Sequence, residues 1–266
     1  MRVISFVATK GGVGKTTLSY QFGNYLAKEK NKKVLFMDFD PQRSLTSLYN
    51  IVEDKTTYNT GDILLGKKNI DILNVDKNID MIPATVNLGN SILYEISLKS
   101  NKELLLFMWF IDNIKKLNYD YVIIDSNPAW NLISMNAVAA SDLVLSPMEP
   151  SGFGYESHDK VLAGINELKK AVVNPVTKEE YVVADVYFIA NLIKHNTATS
   201  KEFLEQIQKY NDILGVINEK EIINASMLEK KYVVDYVIEK GKSRTENKFL
   251  TQLKSVFDDI IKLENE

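Results

Sequence analysis

Short apolar runs bounded by turn-forming residues recur along the chain near positions 2–8, 33–38, 79–82, 121–125, 142–146 and 183–190. Runs of this length read as strands buried on both faces. Between most of them lie stretches with apolar residues at helical spacing, at 16–30, 101–117, 155–171, 198–210 and 245–263. The last is the fullest, with Phe249, Leu250, Leu253, Val256, Phe257, Ile260 and Ile261 on one stripe. Strand-then-helix alternation predicts an α/β fold, a mostly parallel twisted sheet flanked by helices on both faces. Residues 50–100 are less regular and predict a short hairpin or an extra strand around 70–73. No repeat, low-complexity stretch or Pro/Ser-rich linker divides the chain, so residues 1–266 are expected to form one domain.

Chemistry enters at the end of the first strand. After Ala8 comes Thr9-Lys10-Gly11-Gly12-Val13-Gly14-Lys15-Thr16-Thr17, and then a helix with Leu18, Phe22 and Leu26 at helical spacing. A glycine-rich turn between a strand and a helix, with Lys and Thr at its end, is the context of a phosphate loop. Gly11, Gly12 and Gly14 let backbone N–H groups, Val13's included, approach phosphate oxygens, and the helix N-terminus adds its positive dipole end. Lys15 reaches the β/γ-phosphates, the Thr16 hydroxyl suits Mg²⁺, and Thr17 either caps the helix or touches the α-phosphate. The second strand runs into Asp38-Phe39-Asp40-Pro41-Gln42, two carboxylates at i and i+2 beyond a strand's C-terminal end. The strand Tyr121-Val122-Ile123-Ile124 ends in Asp125, an anion placed to face Mg²⁺ at Thr16.

The loop departs from the usual G-x-x-x-x-G-K-[ST] in having Thr9 at its first position and a lysine, Lys10, at its second. In this it resembles the ParA/MinD family of deviant Walker A P-loop ATPases. The resemblance covers about residues 1–150 through three motifs in order, and it implies a P-loop NTPase fold, ATP and Mg²⁺ as cofactors, and ATP hydrolysis. It further implies that Lys10 reaches the partner's phosphates across an ATP-bound homodimer. That would be a charge supplied in trans, worth on the order of 10³–10⁵ in rate. Asp40 would orient or activate the attacking water, and Asp38 would support Mg²⁺ through water or hold its loop. Where the family continues after the third strand motif with Thr/Cys-Pro-Pro, this chain reads Ser126-Asn127-Pro128. Asn136, Asp142 and Pro147 fall where the family has a helix, an acid before the next strand and a strand-ending proline. Asn191 is a candidate adenine contact by position, and Ile222-Ile223-Asn224 stands where the family often has Pro-Arg.

Composition then narrows the class. With no cysteine, the chain has no disulfide, thiolate nucleophile or cysteine-held cluster, which excludes the nitrogenase iron-protein branch of the same family. No signal-peptide layout or membrane-length apolar run is present, and a cytoplasmic location is expected. With the loop starting close to Met1, no N-terminal helix-turn-helix is expected, and the resemblance then implies a ParA-type protein of the short kind. The net charge is −3, yet Lys240, Lys242, Arg244, Lys248 and Lys254 face one acid, Glu246, in that stretch, giving +5 − 1 = +4 locally. Such a cluster binds phosphates without reading sequence, and the resemblance implies nonspecific, nucleoid-associated DNA binding there. It also implies a centromere-binding, ParB-like partner. The final helix mixes Lys254 and Lys262 with Asp258 and Asp259, so no stable membrane association is expected. A MinD-like positioning ATPase and a metabolic P-loop ligase are the alternatives. His158, His195, Trp109 and Trp130 receive no role.

Overall fold

The protein is described by a computed structural model over residues 1–53, 58–68, 70–151, 154–241 and 243–263, with backbone alone at 154 and 155. Its strands are β1 (Arg2–Phe6), β2 (Val34–Phe39), β3 (Leu73–Asp76), β4 (Ile79–Ile82), β5 (Tyr121–Ser126), β6 (Leu143–Met148), β7 (Asp185–Ile193) and β8 (Ile213–Asn218). They form one sheet in the order β3-β4-β2-β5-β1-β6-β7-β8, parallel throughout except for the β3–β4 hairpin. The helices are α1 (Lys15–Lys28), α2 (Ser44–Leu48), α3 (Thr60–Leu65), α4 (Ser91–Ser97), α5 (Leu105–Asn113), α6 (Leu132–Ala139), α7 (Gly154–Ala171), α8 (Ala198–Ile207), α9 (Glu221–Leu228), α10 (Val233–Lys240) and α11 (Arg244–Lys262).

Successive residues of β2 serve opposite faces, as the strand period requires. Val34 and Phe36 pack with Phe22 of α1 and Phe257 of α11, while Leu35, Met37 and Phe39 pack with Ile63 of α3, Ile96 of α4 and Leu106 of α5. A third cluster, with Val161 and Ile165 of α7 and Phe203 of α8, covers β6 and β7. Both faces are therefore clothed, which is why β2, β5 and β6 read as continuous apolar runs. Gly23 allows α1 its close approach, since a Cβ there would lie 2.1 Å from Phe36 Cζ.

Several boundaries differ from the expected ones. The helix expected over 101–117 shortens to α5, because buried Asn136 of α6 captures the preceding turn. Its Nδ2 donates to the Lys102 carbonyl (2.6 Å), and its Oδ1 accepts from Leu106 N–H (3.1 Å). The extra strand near 70–73 lies at β3 instead, set by a tight turn with Asn78 at φ 60°. Pro147 sits within β6, one residue before its end. Asp142 ties the sheet together by accepting the Val3 N–H at 2.7 Å. Strand β8 and helices α2, α3, α4, α9 and α10 are additions. At β1 the strand order reverses between β5 and β6, and in such sheets ligands bind beyond the carboxyl ends at this point.

Candidate nucleotide site

The phosphate loop leaves β1 at that reversal. Gly12 and Gly14 take positive φ values of 81° and 94°, the left-handed region that side chains disfavour. Gly14 is the N-cap of α1, which begins at Lys15. Thr17 thus sits inside the first turn and is not the helix cap, leaving phosphate contact as its remaining expected role. Asn191, at the end of β7, donates from Nδ2 to the Val13 carbonyl at 2.8 Å. A Cβ on Gly14 would lie 2.3 Å from that Nδ2, so loop and strand end fit only with glycine. One N–H of Asn191, the expected adenine contact, is therefore engaged in fixing the loop. Beside it, a narrow cavity of about 40 Å³ has apolar walls from Leu18, Ile217, Ile223 and Leu253, and carries the amides of Asn191 and Asn224.

Three acids gather below the loop, Asp38 and Asp125 on adjoining strands and Asp40 just beyond β2. Asp38 and Asp125 are directly paired in register on β2 and β5 and fully buried, and Asp40 is 8% exposed. Lys15, 7% exposed, is the cation set among them. Burial pushes Lys15 below its ordinary value against the pull of Asp125 and Asp40. Burial pushes Asp125 well above the usual carboxylate range, with the charge of Asp38 adding to the rise. Asp38 is pushed up to about 6, again chiefly by burial.

The hydrogen bonds separate the roles of the three carboxylates. Thr16 Oγ1 donates to Asp125 Oδ2 at 2.6 Å, while Asp125 Oδ1 is buried without a partner. Asp38 Oδ1 accepts the Asp40 N–H at 3.0 Å, and its Oδ2 accepts the Thr46 N–H and hydroxyl at 2.8 and 2.7 Å. Of the two roles expected for Asp38, this geometry serves loop holding. Asp40 Oδ1 accepts from Gln42 N–H at 2.9 Å. Arg43 fixes the far side of this loop with φ 57° and an Nε bond to the Ala84 carbonyl at 3.0 Å.

A hard cation such as Mg²⁺ takes oxygen ligands and usually completes its shell with water and phosphate. The Thr16 hydroxyl and the unpartnered Asp125 Oδ1 fit that chemistry. Among the described residues no group of three His, Asp or Glu side chains is placed to hold a metal unaided. The site thus suits a cation that arrives with a phosphate ligand.

Lys10 lies outside this buried cluster, exposed on the loop's rim, where it pairs with Glu149 and reaches Ser151 Oγ at 3.5 Å. Thr9 touches Ser157 of α7 through its hydroxyl at 3.2 Å. Thr46, Arg43 and Glu149 escaped the sequence reading because each meets its partner only in the folded chain. Thr46 lies in a one-turn helix with no periodic signal.

The basic cluster is less bare than its sequence suggests. Lys240 pairs with Glu229 at 3.0 Å and Lys254 with Glu29 at 2.6 Å, so the local count of +4 is offset by acids from elsewhere. Arg244 and Lys248 are exposed on the first turns of α11, and Lys242 lies outside the described residues. His158 is a buried structural residue, bonded to Asp212 at 3.0 Å and stacked on Tyr210. Trp130 packs on α7 at Gly164, and Trp109 is buried in α5. Among the described residues, no helix is long and apolar enough to cross a membrane.

A strand, a turn with two left-handed glycines, a helix opening on a buried lysine, and an acid on the neighbouring strand define a P-loop nucleotide-binding protein. Comparison with known proteins makes this particular. A family model described as an AAA domain matches residues 1–178. The sporulation initiation inhibitor protein Soj of Bacillus subtilis is 30% identical over 79% of this chain and 79% of its own length. The chromosome partitioning protein ParA of Myxococcus xanthus is 29% identical over 79% of this chain and 71% of its own. A plasmid partition protein of Borrelia burgdorferi, solved with AMPPNP bound, superposes with a TM-score of 0.75 at 26% identity, covering 98% of both chains. The chain belongs to the ParA/Soj family of P-loop ATPases.

Proposed function

We propose that this chain is a partition ATPase whose residues 1–266 act as one Mg·ATP-operated dimerisation switch, binding nonspecific DNA when closed and releasing it on hydrolysis. The observation that carries the reading is an exposed lysine, Lys10, on the rim of an otherwise complete buried phosphate site. Gly11, Gly12, Val13, Gly14, Thr16 and Thr17 would cradle the phosphates, and Lys15 would take the β/γ-oxygens. Thr16 and Asp125 would hold the cation, which supplies charge neutralisation on the phosphates when bound. Asp40, kept in place through Asp38, would orient the attacking water.

Lys10 needs freedom to act across an interface. Its pair with Glu149 is exposed, and exposed pairs contribute only about 0–1 kcal/mol. Exchanging Glu149 for a partner's phosphates therefore costs little. Arg244, Lys248 and Lys242, with Lys240 and Lys254 once the pairs of those two open, are the proposed DNA contacts. Asn191 contributes to base binding by shaping the slot. A ParB-like centromere-binding protein would stimulate hydrolysis, in the cytoplasm at the nucleoid and without stable membrane association.

The test is retention of purified protein on DNA with ATP, ADP or no nucleotide. Asp40→Ala is expected to prolong an ATP-dependent, salt-sensitive complex. Retention that ignores nucleotide, or is absent in every state, would refute the switch.

A further inference from the structure

Asn127 follows β5 by one residue and lies two beyond Asp125. Its turn is pinned from both sides. Ser126 Oγ donates to the Phe6 carbonyl at the end of β1 (2.8 Å), and Pro128 Cγ lies 4.0 Å from where a Cβ on Gly11 would stand. Asn127 is buried in this turn, 6% exposed, next to the proline that borders Gly11 of the phosphate loop. Its Oδ1 is buried without a hydrogen-bond donor.

Buried acceptors are nearly always satisfied, so an orphan calls for a donor from outside the chain or an explanation in strain. Here there are two, Asn127 Oδ1 and Asp125 Oδ1, on residues two apart at the same strand end. Beside them Thr16 Oγ1 is bonded to the other Asp125 oxygen. Water on a divalent cation is a strong donor, and Mg²⁺ keeps several of its waters. An amide suits this place better than an acid. It adds an acceptor without adding a fourth carboxylate to Asp38, Asp40 and Asp125, whose burial already raises two of them.

We propose that Asn127 is a positioning residue for the hydrated cation of the bound nucleotide, its Oδ1 and Asp125 Oδ1 forming one acceptor face for cation-bound water. At this position the chain reads Asn127, whose amide supplies the acceptor. The inference rests on nucleotide binding at the phosphate loop and is independent of dimerisation and DNA affinity.

The experiment is AMPPNP binding to the full chain, titrated with Mg²⁺ and repeated in EDTA. Asn127→Ala is expected to raise the Mg²⁺ half-saturation about tenfold, as loss of an outer-shell partner does, and to leave affinity in EDTA unchanged. Asn127→Asp keeps an acceptor oxygen but adds a fourth carboxylate, and its half-saturation is expected to fall between those of wild type and Asn127→Ala. Thermal melts without nucleotide check folding, and Asn127→Ala is expected to melt no lower than wild type because it removes an orphaned acceptor. An unchanged half-saturation in Asn127→Ala would overturn the role of Asn127 alone. So would a loss of equal size with and without Mg²⁺, which would mean that Asn127 shapes the loop. Wild-type binding that ignores Mg²⁺ would overturn the cation site itself.

Discussion

Lowering the pH should stabilise the nucleotide-free protein, contrary to the usual behaviour of a carboxylate-rich surface. Asp38 is fully buried, and its carboxyl is pushed up to about 6 from an ordinary 3.8. The native carboxyl therefore binds its proton more tightly than the same side chain in the unfolded protein. That stabilisation is fully present below about pH 4 and is lost as pH rises through about 6. The shift of about two units corresponds to about 3 kcal/mol between those limits. Asp125, raised for the same cause, adds a change of the same sign.

Surface acids held low by hydrogen-bonded ion pairs, such as Asp258 and Glu229, act oppositely, but their stabilisation is lost only as pH falls from the ordinary carboxylate values through the depressed ones. Urea unfolding without Mg²⁺ or nucleotide, followed by circular dichroism from about pH 4.5 to about pH 7.5, follows the buried acids, and Lys15→Met removes the opposing change of the depressed lysine. The free energy of unfolding is expected to fall by about 2–3 kcal/mol across that range. Asp38→Asn should flatten the slope, yet lower stability at the acid end. Its single amide oxygen cannot accept the three hydrogen bonds that Asp38 takes from Asp40 and Thr46. A wild-type stability that is constant or rises over this interval would refute the reasoning.

Two further substitutions test the parts that position the site. Gly14→Ala combines a left-handed φ with a Cβ 2.3 Å from Asn191 Nδ2, and should cost about 2–3 kcal/mol in urea unfolding. It should also abolish AMPPNP binding in a filter assay, and retention of binding would mean that the Asn191 contact does not set the loop. Ser243→Ala removes the N-cap of α11, whose Oγ accepts the Glu246 N–H at 3.2 Å. A loss of about 1 kcal/mol, read as a fall of about 2–4 °C in Tm, is expected with nucleotide affinity unchanged.

The sheet and the chemistry at its edge were legible because both are written in short stretches. A strand buried on both faces is an apolar run, and Asp38, Asp40 and Asp125 each stand directly beyond such a run. The phosphate loop is read the same way, from residues within one turn of chain. What was missed depends on distant partners. Strand β8 carries Gly215 and a half-buried pattern, and it is a strand because α11 packs closely on it, with Val256 Cγ2 2.8 Å from where a Cβ on Gly215 would stand. Asn191 was placed near the nucleotide by position, but its bond to Val13 spans 178 residues and has no local sign. Lys254 counts as free positive charge along the sequence, yet it pairs with Glu29, 225 residues away. Charge counted along a sequence ignores such partners, whereas apolar periodicity already includes the face it will bury.

The proposed switch depends on Lys10 leaving Glu149 to complete a second protomer's phosphate site. Light scattering of Asp40→Ala with Mg·ATP measures this directly, with and without Lys10→Ala added. A dimer in the single variant and a nucleotide-bound monomer in the double variant are the predicted results; dimers of equal stability in both would contradict it.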